Sequence, residues 1–356
     1  MSTLFTLKPN KKMSTKIAIN GMGRIGRAFL TLSYGHPEIE VVAANDLGEL
    51  DNLAYLMKYD TAYGRSSMDI GMKETDGKKY LVVNGKDILM LAEKDPAKLP
   101  WKDLGVDIVL EATGFFEKVE KAKLHLDAGA KRVVITAPMK GKVDGVVSES
   151  ILTGINEDKF EGCQISSNAS CTTNSVSPMI QILHEAIGIE KAMLSTIHAY
   201  TGTQKLVDSP DAKDWRRGRA GAQNIVPSTT GAAIAVTEVI TDLKGKFDGL
   251  AFRIPVITGS MSDVTFLAKR NTTVEEINNI LKEASKSDRW NKVFAVTEDQ
   301  LVSSDIIGQR IGSIVDLGLT KVVDGNLVKV CAWYDNEMGY TGALVEHVVK
   351  MASFIK

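Results

Sequence analysis

Short apolar runs alternate with helix-like stretches along the first half of the chain. A glycine turn and a predicted helix over Arg24–Tyr34 follow the first run, and a helix reaching about Ala128 precedes the last one. Strands that alternate with helices in this way are typical of a parallel sheet with helices on its faces. The pattern therefore predicts an α/β unit with strands over Lys16–Asn20, Ile39–Ala44, Val106–Leu110 and Arg132–Ile135.

A hairpin and a change of pattern complete this outline. Asn84-Gly85 separates the apolar runs Tyr80–Val83 and Lys86–Leu91, and an Asn-Gly pair in that position predicts a type I′ hairpin. After about residue 168, β-rich stretches such as Gly249–Ala268 favour a larger mixed or antiparallel sheet, and Gly339–Lys356 is predicted as a closing helix. Because the chain is long for one core and has no low-complexity linker, we predict two closely joined domains.

Composition narrows the class of protein. The chain has 356 residues, of which 44% are hydrophobic and 24% charged, and 43 basic against 44 acidic residues leave a net charge of −1. No global field therefore favours nucleic acid or an anionic membrane, and no apolar run reaches membrane-spanning length. Three cysteines in so long a chain are not a disulfide framework, which favours a reducing cytoplasm. Met1–Lys12 is polar and lacks the apolar region of a secretory signal, so we interpret it as a disordered extension or the result of an early start codon.

The first chemical motif is the Gly-x-Gly-x-x-Gly segment Gly21–Gly26. It follows a predicted strand and opens a predicted helix, and Asp46 stands 20 residues after Gly26 (46 − 26) at the end of the second strand. This is the fingerprint of dinucleotide binding, in which glycines let the pyrophosphate approach the N–H groups of the helix N-terminus. An Asp there can accept hydrogen bonds from the adenosine ribose and would repel a 2′-phosphate, which favours NAD over NADP. A structural glycine turn with a surface Asp is the alternative interpretation.

The second motif surrounds one of the cysteines. Cys171 stands in the polar segment Ser170–Asn174, at the start of a helical pattern over Thr172–Ile187. A helix N-terminus stabilises a thiolate, which is the reactive form of the side chain. A buried, inert cysteine is the alternative, but the polar neighbours favour a solvated turn that handles anions. Cys163 and Cys331 lack such surroundings, and Cys331 is predicted to lie in the core.

A thiol nucleophile needs a base, and the chain offers 5 histidines. His198 closes the apolar strand predicted over Ala192–Ile197 and opens the polar loop 199–205, a place where functional side chains are common. The other histidines fall in the cofactor half or inside predicted helices, and those in the helices are interpreted as packing or surface residues. Position alone leaves a catalytic and a structural His198 equally open.

Taken together, these motifs resemble the glyceraldehyde-3-phosphate dehydrogenase family. The match is collinear from about Lys16 to the C-terminus, and the segments that carry it are Gly21–Arg27, Asn168–Asn174, His198–Thr201, Pro227–Ala233 and Trp333–Tyr340. The resemblance implies an α/β fold: a Rossmann-type NAD-binding domain and an α+β catalytic domain with a large mixed or antiparallel sheet, assembled as a homotetramer. The domains expected are an N-terminal extension (1–15), the NAD-binding domain (16–169, completed by a C-terminal helix, 336–356) and the catalytic domain (170–335).

The chemistry implied by the resemblance is a phosphorylating oxidation. D-glyceraldehyde 3-phosphate would be converted to 1,3-bisphosphoglycerate with NAD and inorganic phosphate, in glycolysis or gluconeogenesis. The Cys171 thiolate would attack the aldehyde to give a thiohemiacetal, and His198 would pair with the thiolate and then take the hydroxyl proton as hydride leaves. Inorganic phosphate would then displace the resulting thioester, so two anion sites are needed.

The resemblance also assigns binding roles to individual residues. The substrate phosphate would be held by Thr201 and Arg253. The attacking phosphate would be held by Ser170, Thr172, Arg216, Thr230 and Gly231. The cofactor would be held by Gly21, Gly23, Arg24, Ile25, Gly26, Asp46, Lys94, Thr113, Gly114, Thr136 and Asn336. No metal is expected, and for Arg216 a solvated basic loop or a subunit contact is the alternative interpretation.

The chain departs from the family's usual pattern at three places. Ser175 stands where a second cysteine is common, Lys94 stands where many members have Arg near the adenine, and Asp144–Asn156 approaches the cysteine differently. Two alternative functions stay open: an erythrose-4-phosphate dehydrogenase, or a non-catalytic redox-sensing or RNA-binding relative. Near-neutral charge without an aromatic and basic stripe disfavours a dedicated nucleic-acid partner, and we expect no membrane partner.

Overall fold

The computed structural model describes residues 14–212 and 214–355, and the extension predicted over Met1–Lys12 lies outside them. In this part the chain forms two large sheets with separate hydrophobic cores. The strands are β1 (Thr15–Asn20), β2 (Ile39–Asn45), β3 (Tyr59–Asp60), β4 (Gly64–Arg65), β5 (Ile70–Thr75), β6 (Lys78–Val83), β7 (Lys86–Leu91), β8 (Ile108–Glu111), β9 (Arg132–Ile135), β10 (Ser148–Ser150), β11 (Ile165–Ser167), β12 (Ile189–Ala199), β13 (Val226–Thr229), β14 (Phe247–Ile254), β15 (Ser260–Ala268), β16 (Phe294–Thr297), β17 (Ser313–Asp316), β18 (Lys321–Val323) and β19 (Leu327–Tyr334). The α-helices are α1 (Arg24–Ser33), α2 (Leu50–Lys58), α3 (Trp101–Leu104), α4 (Val119–Asp127), α5 (Cys171–Ile187), α6 (Ala232–Val239), α7 (Val274–Ser285) and α8 (Met338–Ala352).

The first sheet has nine strands in the order β10-β11-β9-β8-β1-β2-β7-β6-β5. Neighbouring strands are parallel from β10 to β7, whereas β7, β6 and β5 are antiparallel. This confirms the predicted parallel sheet, and β9 has the predicted bounds. β8 begins two residues later than predicted, at Ile108, because the N–H of Val106 instead bonds to the Trp101 carbonyl in the preceding helical turn.

The hairpin between β6 and β7 turns at Asn84 and Gly85. Their φ angles of +47° and +78° are both positive, as a type I′ turn requires, which confirms the predicted hairpin. At the other end of the chain, Leu344 and Val348 of α8 belong to the same buried cluster as Phe29 of α1. The C-terminal helix therefore packs on the first core, although it ends at Ala352, earlier than predicted.

The second sheet has eight strands in the order β13-β14-β12-β15-β19-β17-β16, with β18 paired to β19. β12 is parallel to β14 and antiparallel to β15, so the sheet is mixed, as expected. Leu183 of α5, Val236 of α6 and Leu281 of α7 pack with strand residues such as Val264 in one buried cluster. The helices therefore form the layer that covers the face of this sheet carrying the core.

β12 positions the predicted base, and it is longer than predicted. It runs from Ile189 to Ala199, because its pairing with β14 continues through His198 opposite Arg253 and Ala199 opposite Ile254. The prediction that the strand ends at Ile197 is wrong, and His198 lies within the strand. None of the helices in the described ranges is long and apolar enough to cross a membrane.

Candidate active site

Cys171 is the first residue of α5, and the chain turns sharply before it. Ala169 has a φ of +52°, in the left-handed region that non-glycine residues seldom adopt, and its N–H donates to Ser167 Oγ at 2.9 Å. Ser170 then caps the helix, because its Oγ accepts from the Thr173 N–H at 3.1 Å. Unfavourable backbone of this kind is concentrated at functional sites, which agrees with a functional turn before Cys171.

The polar side chains that follow Cys171 are buried. Thr172, Thr173 and Asn174 are almost inaccessible to solvent, whereas Cys171 is partly exposed. Thr172 Oγ1 lies 2.9 Å from the Tyr334 hydroxyl, and Asn174 Nδ2 donates to two carbonyls of the preceding loop at 2.8 and 3.0 Å. The prediction of a solvated turn is therefore wrong for these residues, since their polar groups hold the turn together.

The structure brings the predicted nucleophile and the predicted base together. Cys171 Sγ lies 3.4 Å from His198 Nε2, within hydrogen-bonding reach for sulfur. His198 is buried, and the Tyr334 ring lies edge-on to it with the centroids 5.9 Å apart. Tyr334 had no role in the sequence analysis, because its distance from His198 along the chain hides the contact.

Arg253 joins this pair from β14, where it lies opposite His198 in the strand register. Its Nη1 lies 2.6 Å from His198 Nδ1 and donates to the Ala199 carbonyl at 3.2 Å. Because an arginine keeps its protons, Nδ1 accepts in this contact, and the ring proton of the neutral imidazole lies on Nε2, facing sulfur. The Ala199 carbonyl is also 2.6 Å from Nδ1. Once Arg253 moves away, the ring proton can lie on Nδ1, and the carbonyl can then accept a hydrogen bond from it.

The electrostatics of the site favour a neutral His198. Burial lowers the pKa of His198, and the Arg253 charge lowers it further, to about 3. Burial also raises the pKa of the Cys171 thiol, while the Arg253 charge and hydrogen bonds from Thr172 oppose that rise. The thiolate–imidazolium pair implied by the family resemblance is therefore not the state that this arrangement favours while Arg253 contacts Nδ1.

The other two cysteines lie in different surroundings. Cys163 and Cys331 are buried, and burial raises the pKa of each thiol to about 11. The core position predicted for Cys331 is confirmed. In the described ranges, no group of three or more His, Cys, Asp or Glu side chains could hold a metal ion.

A cleft of about 500 Å³ lies at the carboxyl ends of β1, β2 and β8. Its floor needs glycine: a Cβ on Gly21, whose φ is +99°, would lie 2.9 Å from Thr113 N, and a Cβ on Gly26 would lie 2.0 Å from Gly21 O. Gly23 is exposed at the start of α1 with open space beside it, and no side chain caps that helix. The free N–H groups, the close backbone and the space fit a dinucleotide pyrophosphate.

Asp46 lies in the wall of this cleft, as the fingerprint predicts. One carboxylate oxygen accepts from the Met22 N–H at 2.7 Å and the other accepts from the Gly48 N–H at 2.8 Å. The carboxylate therefore fastens the glycine turn to the end of β2, in addition to facing the space where a ribose would bind. Each oxygen keeps capacity for a further hydrogen bond.

The remaining cofactor candidates divide into two groups. Lys94, Thr113 and Leu47 also line the cleft, together with side chains that the sequence analysis missed, namely Glu93, Phe115, Phe116 and Lys121. Thr113 is fixed by Glu111, which accepts from both its N–H and its hydroxyl. Phe115 and Phe116 follow Thr113-Gly114 directly, so their apolar character beside a predicted site was the available signal.

Arg24 and Ile25 do not place their side chains in the cleft. The Arg24 guanidinium is paired with Asp60 and Glu337, and Ile25 packs against the first core. Their main-chain N–H groups remain at the helix N-terminus. Gly114, with a φ of +74°, and Thr136, whose N–H donates to the Glu111 carbonyl, follow the ends of β8 and β9.

Asn336 follows the last strand of the second sheet and is buried. Its Oδ1 accepts from the hydroxyls of Thr258 and Ser260 and from the Gly259 N–H, at 3.0 to 3.2 Å. Nothing in the described residues pairs with its amide nitrogen. The side chain is thus fixed by its oxygen and keeps two N–H donors for a ligand.

The predicted phosphate residues lie on several loops around Cys171. Thr201 Oγ1 is 3.0 Å from Thr203 Oγ1, and Thr230 Oγ1 accepts from the Ala232 N–H next to Gly231, which precedes α6. Ser170 is partly exposed, whereas the Thr172 hydroxyl is engaged by Tyr334.

The two adjacent arginines, Arg216 and Arg217, have different surroundings. Arg216 is exposed. Arg217 instead donates to Ser228 Oγ at 2.8 and 3.0 Å, next to Thr229 and Thr230, and its charge acts on Arg253. The Arg216 side chain is thus open to solvent, whereas the Arg217 side chain is held against Ser228.

Comparison with known proteins agrees with this arrangement. Residues 15–119 match the family described as glyceraldehyde 3-phosphate dehydrogenase, NAD binding domain, and residues 170–336 match its C-terminal domain. The chain is 48% identical over 347 residues to glyceraldehyde-3-phosphate dehydrogenase of Clostridium pasteurianum, covering 96% of this chain and 100% of the relative. It is 44% identical over 343 residues to the enzyme of the same name from Geobacillus stearothermophilus, covering 96% and 99%. The chain therefore belongs to the glyceraldehyde-3-phosphate dehydrogenase family, with NAD as its cofactor.

Proposed function

We propose that this NAD-dependent glyceraldehyde-3-phosphate dehydrogenase uses Cys171 as its nucleophile and His198 as its general base. The observation that carries the assignment is the 3.4 Å approach of Sγ to Nε2 at the N-terminus of α5. Cys163 and Cys331 are buried, whereas Cys171 is partly exposed, so neither offers a competing nucleophile. A reactive thiol beside an imidazole is the arrangement that covalent aldehyde oxidation needs.

The aldehyde carbon is oxidised while it is bonded to the sulfur of Cys171. Sγ of Cys171 bonds to the aldehyde carbon, and the proton that leaves the thiol passes through His198 Nε2 to the carbonyl oxygen, which gives a thiohemiacetal. His198 Nε2 then accepts that hydroxyl proton as the hydride leaves the carbon, and the product is a thioester. Bound NAD supplies the hydride acceptor. Asn336, through its two free N–H donors, would hold the nicotinamide amide, and Thr113, Gly114 and Thr136 would line that side.

Arg253 and Thr201 would hold the phosphate of glyceraldehyde 3-phosphate. A phosphate on Arg253 would draw the guanidinium from His198 Nδ1 and offset its charge. The ring proton can then reside on Nδ1, which donates a hydrogen bond to the Ala199 carbonyl 2.6 Å away. This tautomer leaves the Nε2 lone pair free to act as a base. Substrate binding and activation of the base are thus linked through one side chain.

Inorganic phosphate would complete the reaction. A phosphate oxygen bonds to the thioester carbon, the carbon–sulfur bond breaks, and Cys171 leaves as a thiolate with an acyl phosphate as the product. Ser170, Thr172, Thr230 and Gly231 are proposed to bind this phosphate, as the family resemblance implies. Arg216 is proposed to bind it as well, as the resemblance implies, and Arg217 is proposed as a second cation, because its side chain lies against Ser228 beside these groups.

The same proposal covers domain organisation and assembly. We place an extension at 1–15, an NAD-binding domain at 16–169 with the helix 336–356, and a catalytic domain at 170–335, in a cytoplasmic homotetramer. Exposed apolar side chains support the assembly: Trp215 is 86% and Leu206 84% exposed, in the loop before β13. Clusters of exposed apolar side chains mark interaction surfaces, so these should be covered by another subunit. Light scattering after size exclusion tests this, and a monomer would remove the assembly from the proposal.

The chemistry is tested by following NADH formation from glyceraldehyde 3-phosphate with and without inorganic phosphate, and by detecting the acyl phosphate. His198→Asn should lower the rate about 10²- to 10⁴-fold, the range for loss of a general base. His36→Asn is the matched control, because His36 lies away from the site beside Pro37. Turnover that needs no phosphate, or a higher kcat/KM for erythrose 4-phosphate, would contradict the assignment.

A further inference from the structure

Arg24 lies at the start of α1, but its guanidinium is bound by two carboxylates. Nε donates to Glu337 Oε1 at 2.9 Å, Nη2 donates to Glu337 Oε2, and Nη1 donates to Asp60. The pairing with Glu337, partly opposed by burial, raises the pKa of Arg24 above its ordinary value. A guanidinium matched by two carboxylates has little charge left to offer a pyrophosphate.

Tyr63 and Asp335 extend this arrangement, and we call the five side chains Arg24, Asp60, Tyr63, Asp335 and Glu337 the Arg24 cluster. The Tyr63 hydroxyl is 2.9 Å from Glu337 Oε2 and 3.0 Å from Asp335 Oδ1. Asp335 is fully buried and accepts from the main-chain N–H groups of Gly308, Glu337 and Met338 at 2.8 to 2.9 Å. The cluster thus fixes both the side chains and the main chain of the segment before α8.

Asn336 stands between the two acidic members of the cluster. On one side Asp335 is tied to Tyr63, and on the other Glu337 is tied to Arg24. Thr258 contacts both Asp335 and Asn336, because its hydroxyl lies 3.0 Å from Asp335 Oδ1 and 3.2 Å from Asn336 Oδ1. The position of Asn336 relative to the start of α1 is therefore set by these contacts.

We propose that Arg24 is a positioning residue for Asn336, acting through Glu337, and that its side chain does not bind the pyrophosphate. The pyrophosphate end of the site is built by the uncapped N-terminus of α1, and the nicotinamide end by Asn336. The Arg24 cluster joins the two ends, so it sets the distance between the groups that hold the two halves of the cofactor. This inference rests on the nicotinamide role proposed for Asn336.

Two ligands separate this role from direct binding: NAD, and ADP-ribose, which has the adenosine and the pyrophosphate but no nicotinamide. For Glu337→Gln in the full-length protein we expect the Kd of NAD to rise about fivefold or more, the low end of typical coupling between sites. The Kd of ADP-ribose, measured by calorimetry, should stay within about twofold. Asp60→Asn should act in the same direction, and Arg24→Lys, which keeps the charge but loses the fork, should repeat the Glu337→Gln pattern.

Glu276→Gln is the matched control, because Glu276 forms a similar two-pronged pair with Arg270 on the surface. It should change neither Kd. The proposal would be overturned if Arg24→Lys and Glu337→Gln raised the Kd of NAD and the Kd of ADP-ribose equally, or if they changed neither Kd. If Asn336→Ala does not weaken NAD binding more than ADP-ribose binding, the nicotinamide role of Asn336 is wrong. If Asn336→Ala weakens NAD binding selectively and Glu337→Gln does not, only the positioning role is wrong.

Discussion

Replacing Arg253 by methionine tests how the site keeps His198 neutral. The substitution retains most of the apolar length and removes the charge that lies 2.6 Å from Nδ1. Burial and this charge lower the pKa of His198 from 6.5 to about 3, so we expect the pKa to rise in the variant. Because Arg253 is also proposed to hold the substrate phosphate, the KM for glyceraldehyde 3-phosphate should rise at the same time.

The expected size of the shift follows from two limits. Unit charges about 4 Å apart interact by about 4 kcal/mol at an effective dielectric constant near 20, and about 1.4 kcal/mol moves a pKa by one unit, so the charge alone could account for about 3 units. Burial, however, is the larger cause of the drop from 6.5 to about 3. The charge therefore accounts for less than half of the drop, and we expect a rise of about 1 to 1.5 units.

The measurement is an NMR titration of labelled histidines, of which the chain has 5. It is made in a Cys171→Ser background, because a coupled thiol would share the titration. At a pH near 4.5, His198 should be neutral with Arg253 present and between about a quarter and a half protonated in Arg253→Met, as the shift above requires. The control Arg270→Met removes an exposed arginine that is paired with Glu276, and it should leave His198 neutral at this pH. A His198 signal that titrates identically with and without Arg253 would refute the reasoning.

Cys171→Ser should abolish aldehyde oxidation while NAD binding stays measurable, and retention of most of the turnover would remove Cys171 from the mechanism. Iodoacetamide should label Cys171, which is partly exposed, far faster than the buried Cys163 and Cys331; equal labelling by mass spectrometry would contradict this. Burial lowers the pKa of His347 to about 3. Below about pH 6.5 the unfolded chain therefore binds a proton that the folded chain does not, and stability falls toward pH 3 by up to about 1.4 kcal/mol per unit. His347→Gln should flatten that slope in urea unfolding at pH 7 and pH 5, and an unchanged slope would exclude His347 as its source. Asp46→Ser should narrow a preference for NAD over NADP that we expect to be about tenfold or more. It should also raise the KM of both cofactors, since Asp46 fastens the glycine turn; equal use of both by the unaltered protein would contradict its role.

The parts of the fold that could be predicted are those whose shape is set by neighbouring residues. Asn84-Gly85 forces its hairpin because both residues adopt positive φ, and the apolar run of β9 is buried over its predicted length. β12 was predicted too short because its last pairs are with β14, more than fifty residues further along the chain. Pairing partners of that kind are not visible in a local pattern.

The site shows the same division. Cys171 could be placed at a helix N-terminus from its own segment, but its 3.4 Å approach to His198 depends on how β12 lies against α5. The different surroundings of Arg216 and Arg217 could not be predicted, because adjacent arginines look alike in sequence, whereas Arg216 is exposed and Arg217 lies against Ser228. The pairing of Arg24 with Glu337 could not be predicted either, because the two residues are 313 positions apart.

The site handles its anions by two different physical means. At the pyrophosphate end the nearby charge of Arg24 is already matched by Asp60 and Glu337, whereas the main-chain N–H groups of the uncapped helix are free to bind an anion. At the substrate end Arg253 has no carboxylate within ion-pair distance among the described residues, and it rests against a neutral His198. A rigid turn suits a cofactor that must be held in one orientation for hydride transfer. An arginine that is not paired with a carboxylate suits the proposed substrate phosphate, whose binding must also shift the ring proton of His198. Such an arginine can move without breaking an ion pair.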